Sequence, residues 1–314
     1  MITDQWIRKI GLIIYSETEA VDLSAFHTRF EVQNADVESP NNCAIRIYNM
    51  TKKTVKQLID NAEFKSIALN AGYESGNYGI IFQGQIKQFR IGKESNVDSY
   101  LDILASDGDI AYNKSFISET ISKGYTPTDV INQAAKSMGL PVDIGTIKTD
   151  LQHVPSLNPR GKVLFGMSRM FVRNAASTLD SSWSIQNGRV QIVPNKGYMP
   201  GEAVVLNATT GLIGIPEQTD EGIRMRCLLN SKIRIGGLVQ LNNSDINVTI
   251  QANPKSANIP YNSRAQLQPL APLSGSGVYR VFVAEHEGDT RGQQWYTNIV
   301  GLAMDATDNV VRAY

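Results

Sequence analysis

Cysteine is scarce in this chain. Its 314 residues hold two, Cys43 and Cys227, far apart and without CxxC spacing. That excludes a disulfide scaffold and a thiolate metal site. Each sits in an apolar, strand-like run and reads as a buried free thiol. Histidine is nearly as scarce, with His27, His153 and His286 only. His286-Glu287 opens like a zinc-binding HExxH, but Thr290 stands where the second histidine belongs. The plain reading of His286 is a strand residue beside a turn, and no metal or cofactor is expected. A charge excess is missing too: lysine plus arginine equal aspartate plus glutamate at 30 each. Zero net charge argues against a dedicated nucleic-acid binder. It also gives little electrostatic resistance to self-association. No run approaches the ~20 apolar residues of a membrane span. The N-terminus has no charged-then-apolar signal pattern, so a soluble chain made in a cytosol is expected.

Catalytic patterns are absent as well. No Gly-x-Ser-x-Gly elbow occurs, and Ser168 after Gly166 lacks the second glycine. Gly161-Lys162 fails the P-loop spacing. Asp107-Gly-Asp109 and Asp289-Thr-Arg-Gly292 do not continue as calcium loops, and turn chemistry accounts for both. A glycosidase needs two carboxylates facing each other across a cleft, and nothing selects a pair. The chain is therefore not expected to be an enzyme.

What is present is strand. Trp6 to Tyr15, Phe26 to Val32, Phe64 to Gly72, Gly79 to Ile91 and Ser99 to Ala105 are apolar and β-favouring. Cys43-Ala-Ile-Arg-Ile-Tyr48 alternates, placing Cys43, Ile45 and Ile47 on one face. One short helix after Thr51 interrupts this first part, which ends near Ser115. From 116 to 205 the character changes. Thr126-Pro-Thr-Asp129 is a helix start with a capping box and proline at the first turn. A second helix is expected from Leu164 to Leu179. Asn187-Gly188 suits a type I′ turn that pairs Ile185 with Val190 and Trp183 with Ile192. Strands return from 206. Gly222 to Leu241 reads as one strand pair, and Gly277 to Met304 as two long strands joined by Gly288-Asp-Thr-Arg-Gly292. Between them runs an irregular stretch, 253–276, with Pro254, Pro260, Pro269 and Pro272. Gly79 to Ala105 and Gly277 to Ala303 share one plan: a long strand, a polar turn and an aromatic-led return strand. Arg224, Arg226, Lys232 and Arg234 alternate along the predicted pair. They read either as a solvated outer face or as a basic lining of a channel that DNA crosses.

A set of short segments runs in order along the chain: Pro40-Asn-Asn-Cys-Ala-Ile-Arg-Ile-Tyr-Asn49, Ala71-Gly-Tyr-Glu74, Ile81-Phe-Gln-Gly-Gln-Ile86, Ser106-Asp-Gly-Asp109, Thr126-Pro-Thr-Asp-Val130, Asn187-Gly188, Ile215-Pro216 and the two C-terminal blocks. In this order they resemble the trimeric baseplate hub of contractile-tailed phages, a group that includes the N-terminal part of type VI secretion spike proteins.

The resemblance implies a mainly β fold, with two tube-like β-barrels per subunit flanking a small α+β insertion domain. The implied divisions are 1–115, 116–205 and 206–314, the last carrying the long loop 253–276. It implies a homotrimer that joins the sixfold tail tube to a trimeric spike in the virion baseplate, and that forms part of the channel for DNA. Tape-measure and wedge proteins are further implied partners, and the spike is expected to be a separate protein. By the same analogy Arg291, Trp295 and Tyr296 are candidate interface anchors, with core and turn as the plain alternative. Pro254, Pro260, Tyr261, Pro269 and Pro272 are candidate contacts of the long loop. Two other classes remain open on the residues: a tail-tip cell-wall hydrolase, and a host-glycan-binding module acting through Trp295 or Trp183.

Overall fold

Alternating apolar residues bounded by turn formers become strands here, and their buried faces decide how the strands assemble. The computed structural model describes residues 7–60, 64–147, 158–219, 221–242, 246, 273–274 and 276–304. The first part holds β1 (Arg8–Tyr15), β2 (Ala20–Asp22), β3 (Thr28–Ala35), β4 (Asn42–Tyr48), α1 (Lys52–Asp60), β5 (Ser66–Tyr73), β6 (Gly76–Lys93) and β7 (Ser99–Ser106). The middle part holds α2 (Asp109–Lys114), β8 (Phe116–Ile121), α3 (Pro127–Met138), β9 (Val142–Ile144), β10 (Thr146–Ile147), β11 (Lys162–Met167), α4 (Ser168–Thr178), β12 (Ser181–Gln186), β13 (Arg189–Pro194) and β14 (Gly197–Tyr198). The last part adds β15 (Val204–Val205), β16 (Leu212–Gln218), β17 (Ile223–Leu228), β18 (Leu238–Gln240), β19 (Val278–Asp289) and β20 (Trp295–Ala303).

The protein is mainly β, built on one large sheet whose main path is antiparallel. That path runs β16-β17-β20-β19-β3-β4-β7-β6-β5-β1-β2. Two separate closed barrels are therefore not what the described strands form. The reason is β19: it reaches past its own hairpin partner and pairs with β3 from Val283↔Ala35 to Asp289↔Arg29. The sheet stays open, and its curl over the first lobe is bridged by Arg8. That guanidinium donates to the carbonyls of Asp289 (3.0 Å), Gly292 and Gln293 (3.0 Å) at the β19–β20 turn.

Three apolar cores result among the described residues. One lies inside β1 and β3–β7 and also takes in Leu229 and Trp295. A second lies between α3, α4 and the β12–β13 hairpin. The third lies under β17–β20. The α3 start is as expected: Thr126 and Asp129 exchange the reciprocal bonds of a capping box, and Gly139 closes the helix in the left-handed region. The type I′ turn also stands, with Asn187 at φ 52° and Gly188 at φ 73°, and with Ile185↔Val190 and Trp183↔Ile192 in register.

Two sequence expectations give way. Residues 162–167 are a strand, so the helix expected from Leu164 starts at Ser168. Leu164 is buried between exposed Val163 and Phe165, a period-2 pattern that pairs with β8. The strand pair expected in 222–241 does not exist: β17 lies between β16 and β20, while β18 joins β15 and β19. The intervening 229–237 segment crosses to the first lobe instead, where Ser231 Oγ donates to the Asn77 carbonyl at 2.8 Å.

The shared plan of the two long hairpins is real in register. In β6–β7 the pairing slips between Ile86 and Gln88, and in β19–β20 it slips between Val281 and Val283. Each bulge lies in the long strand and sharpens its twist. Gly288 is fixed by packing at the second hairpin, because a Cβ there would overlap the Phe30 ring and press on Trp295. Gly288→Ala is expected to lower unfolding stability by about 1–3 kcal/mol through overpacking. Urea melts of the purified variant read this directly, and an unchanged midpoint would refute the packing assignment.

Candidate assembly interface

Strand alternation gives the joined sheet two unlike faces. One face is buried over the cores and carries Val32, Ile45, Ile103, His286, Thr297 and Cys227. His286 Nδ1 lies 2.9 Å from Thr297 Oγ1, and burial pushes its pKa down to about 4, so the ring is neutral and structural. Both cysteines are buried free thiols whose pKa burial pushes upward, Cys227 to about 12. They are inert by position.

The other face is polar and continuous across both lobes. Arg226, Asn298, Glu285 and Gln33 stand side by side on successive strands, as do Tyr296, Glu287, Glu31 and Ala44. Arg29, Arg46, Asp102 and Arg90 form a third row. A concavity of about 400 Å³ opens over the middle of this face. Arg46 binds both oxygens of Asp102 at 2.7 and 3.0 Å and lies 3.9 Å over the Tyr100 ring. Arg226 donates to Asn298 at 2.7 Å, approaches Glu287 at 3.9 Å and covers the Tyr296 ring at 5.2 Å.

The candidate basic residues divide. Arg224 and Arg226 share the outer face of β17 and are exposed. Lys232 and Arg234 belong to the 229–237 segment and line a separate recess of about 760 Å³ beside the middle part. Among the candidate anchors, Trp295 takes the core position, 1% exposed and edge-on to Phe30 at 5.4 Å. Tyr296 is half-buried on the polar face, and Arg291 is exposed in the turn. Pro254, Pro260, Tyr261, Pro269 and Pro272 lie outside the described residues.

Asp289 organises that turn. Its Oδ1 accepts from the Arg291 and Gly292 amides at 2.8 Å and lies 2.8 Å from His27 Nε2, while its Oδ2 accepts from Arg29 Nε at 2.6 Å. Burial pushes this carboxyl up. The Arg29 bond, both amides and His27 together outweigh burial and hold it well below the usual carboxylate range.

Buried polar bonds clamp the middle part to both lobes, and the sequence carried no signal for them. Asn41 donates to the Ile185 carbonyl at 3.0 Å and to Gln186 Oε1 at 2.8 Å. Asp36 accepts from Ser182 at 2.7 Å; burial raises its pKa, and nearby Arg280 pulls it partly back. Arg280 itself donates to the Pro194 carbonyl at 2.8 Å. Asp107 accepts from the Gly188 amide at 2.9 Å, so the Asp107-Gly-Asp109 turn is also a docking point. Position-by-position pattern reading finds turns, but these bonds join residues more than 80 positions apart.

Among the described residues, open edges lie at both ends of the large sheet's main path and along part of β6. β2 pairs only with β1, β16 pairs only with β17, and beyond Gln85 β6 pairs only with β7. Ile215 on β16 is 66% exposed and Ile91 on β6 is 61% exposed. Exposed edges with apolar side chains are sites for adding another strand. Among the described residues no cluster of three or more metal-ligating side chains occurs, and no helix is long and apolar enough to cross a membrane.

Residues 9–262 match the family model described as Baseplate hub gp41. No curated protein sequence matches the chain. Among solved structures, the 43 kDa tail protein of prophage MuSo2 from Shewanella oneidensis aligns with a TM-score of 0.56 at 8% identity, over 95% of this chain and 97% of its own. A tail protein from Neisseria meningitidis MC58 aligns at 0.55 and 8%, over 94% and 96%. The E. coli c3393 protein is described as a type VI secretion component similar in structure to T4 tail proteins gp27 and gp5. It aligns at 0.52 and 9%, over 95% of this chain and 77% of its own. At such identities the likeness is one of fold.

The clamp has a measurable pH signature. Burial, partly offset by the Gly188 and Asn187 amides, raises Asp107 from 3.8 to about 6. A carboxyl with a raised folded pKa binds its proton more tightly when folded. Its contribution therefore favours the fold below pH ~4 and is lost as pH rises to ~6. Asp107→Asn keeps an acceptor for the Gly188 amide and has no charge to bury. It is expected to remove this loss, gaining about 1–3 kcal/mol relative to wild type between pH 4 and pH 7. Urea melts at the two pH values measure the difference, and a constant gap would refute it.

Proposed function

The chain belongs to the Baseplate hub gp41 family, a structural component of the phage tail baseplate, and from that premise we propose that three copies close into a ring joining the tail tube to the spike. The observation that supports this is an internal repeat of strand order. The path reads β16-β17-β20-β19 and then β3-β4-β7-β6. In each half a long bulged strand stands last, beside its hairpin partner. Inside the chain, the last strand of one half, β19, pairs with the first strand of the other, β3. The same junction between copies sets the open half of β6 against the open edge of β16 in the next copy. Such a head-to-tail contact uses two different surfaces and closes when the rotation permits. Three copies then present six similar lobes, which suits a threefold ring meeting a sixfold tube.

Charge supports that junction. Arg90 and Lys93 lie on the β6 side, and Glu217 lies on β16. In this arrangement 1–115 and 206–314 act as the tube-like units, with 116–205 as an outer module available to other baseplate proteins. The polar face becomes the wall of the lumen, with Arg224, Arg226 and Tyr296 on it. Arg291 stands at the end of the hairpin, where a tube or spike subunit docks. Loop 253–276 is assigned to the spike or a neighbouring copy. The concavity is lined by Glu31, Asp102 and Glu287, but Asp102 is taken by Arg46 and Glu287 by Asn298, and the Trp295 and Trp183 indoles are buried, so the hydrolase and glycan-binding readings gain no support.

Native mass spectrometry of the purified chain, with negative-stain class averages, is expected to give a trimer with an open centre. Carrying the β19–β3 register over to the junction pairs Arg90 with Thr219 of the neighbouring copy. An Arg90→Cys/Thr219→Cys double variant should then form a disulfide-linked ladder that ends at trimer on non-reducing gels. A chain that stays monomeric with the spike protein added would sink the ring.

A further inference from the structure

A lumen that DNA crosses at speed must not hold it. Non-specific grip comes from cations that release counterions when they take up phosphates. Along the eight strands from β16 to β6, Arg29, Arg46, Arg224 and Arg226 of the polar face are already answered within the chain. Arg46 is held by Asp102 in a two-pronged pair, and Arg90 stands across from the same carboxylate. Arg29 binds Asp289 at 2.6 Å and meets Glu94 at 3.8 Å. Arg224 binds Glu221 at 2.6 Å. Arg226 is held by Asn298, whose amide is itself bonded to Glu287 at 2.6 Å. Glu31 and Glu285 add negative charge to the same rows. Opposite charges this close lie well inside the Debye length of about 8 Å at physiological salt, and the carboxylates named outnumber the arginines, so a passing phosphate meets no net attraction.

We propose that this face is a self-neutralised wall fitted to double-stranded DNA in transit, its carboxylates present to deny the arginines to phosphate. The inference rests on the reading of the face as the lumen wall. It refines the expected basic lining: the cations are there, and all of those on β17, β3 and β4 are held by partners within the chain. The wall wets the polyanion through polar side chains without gathering it, unlike a surface whose cations stand unpaired.

The test is gel retardation of a short DNA duplex by the purified chain at physiological salt. Wild type is expected to leave the duplex unshifted. A Glu31→Gln/Asp102→Asn/Glu287→Gln variant should retard it, with a slope of log affinity on log salt of about −3. Should that variant not fold, Glu221→Gln/Glu287→Gln releases Arg224 and Arg226 from their carboxylates and should shift the duplex with a slope of about −2. Wild type binding as tightly as the variants would overturn the proposal, and so would folded variants that bind no better than wild type. Native mass spectra of the same samples separate the two layers. A ring that fails the DNA arm removes only the neutralised wall, whereas a chain that never forms a ring removes the lumen with it.

Discussion

The pairing of β19 with β3 is the constraint on which the rest depends. It joins a strand near the C-terminal end of the described chain to one near the N-terminal end, from Val283↔Ala35 to Asp289↔Arg29. Without it the two lobes would be separate sheets, each with a raw edge. With it, one sheet has one buried side and one polar side across both lobes. The Asp289 turn, the Arg8 bridge and the seat of Trp295 in the first core all depend on β19 standing beside β3. Ladder bonds fix the spacing and register of the lobes more strictly than side-chain packing would.

The middle part is held by a different kind of bond. Asn41, Asp36, Asp107 and Arg280 are each less than 6% exposed, and they reach across module boundaries. Buried polar groups cost free energy unless they are satisfied, so such contacts are poor glue for modules that slide. They are well suited to modules that must hold a single pose, because a shift breaks several bonds together. The clamp and the continuous sheet make the chain one rigid unit for assembly.

Local chemistry was legible in the sequence wherever the physics is local. The Thr126 capping box, the Asn187-Gly188 turn, the Cys43/Ile45/Ile47 alternation and the long final hairpin stand as read. The misreadings share one cause. Leu164 and Phe171 fit a helical spacing, yet Leu164 belongs to a strand because it pairs with Glu119 of β8, far upstream. The 222–241 segment reads as a strand pair because two apolar runs lie close together, while their neighbours in the fold, β16, β20, β15 and β19, come from elsewhere in the chain. Trp295 was equally consistent with an anchor and a core residue, since an indole serves both. Its fate was set by Phe30, which a one-dimensional pattern does not place beside it. The candidate surface was the least legible part, because a polar face is a property of registers between strands. Only Arg224 and Arg226 among the four basic candidates share one strand face.

Trp295 and Leu229 sit in the core that is otherwise built from residues 12–105. The first lobe is therefore incomplete until the last hairpin has left the ribosome. Contacts spanning most of the chain form late, after a large loop-closure cost. A growing or truncated chain lacks both the hairpin that fills its first core and the strand that covers the β3 edge. The order of synthesis thus acts as a timer: β16 cannot take its place at the end of the joined sheet until β17, β20, β19 and β3 are aligned. In the proposed ring, the β16 contact would be open only to chains whose last hairpin has formed, so a missing strand would itself keep an unfinished chain from joining.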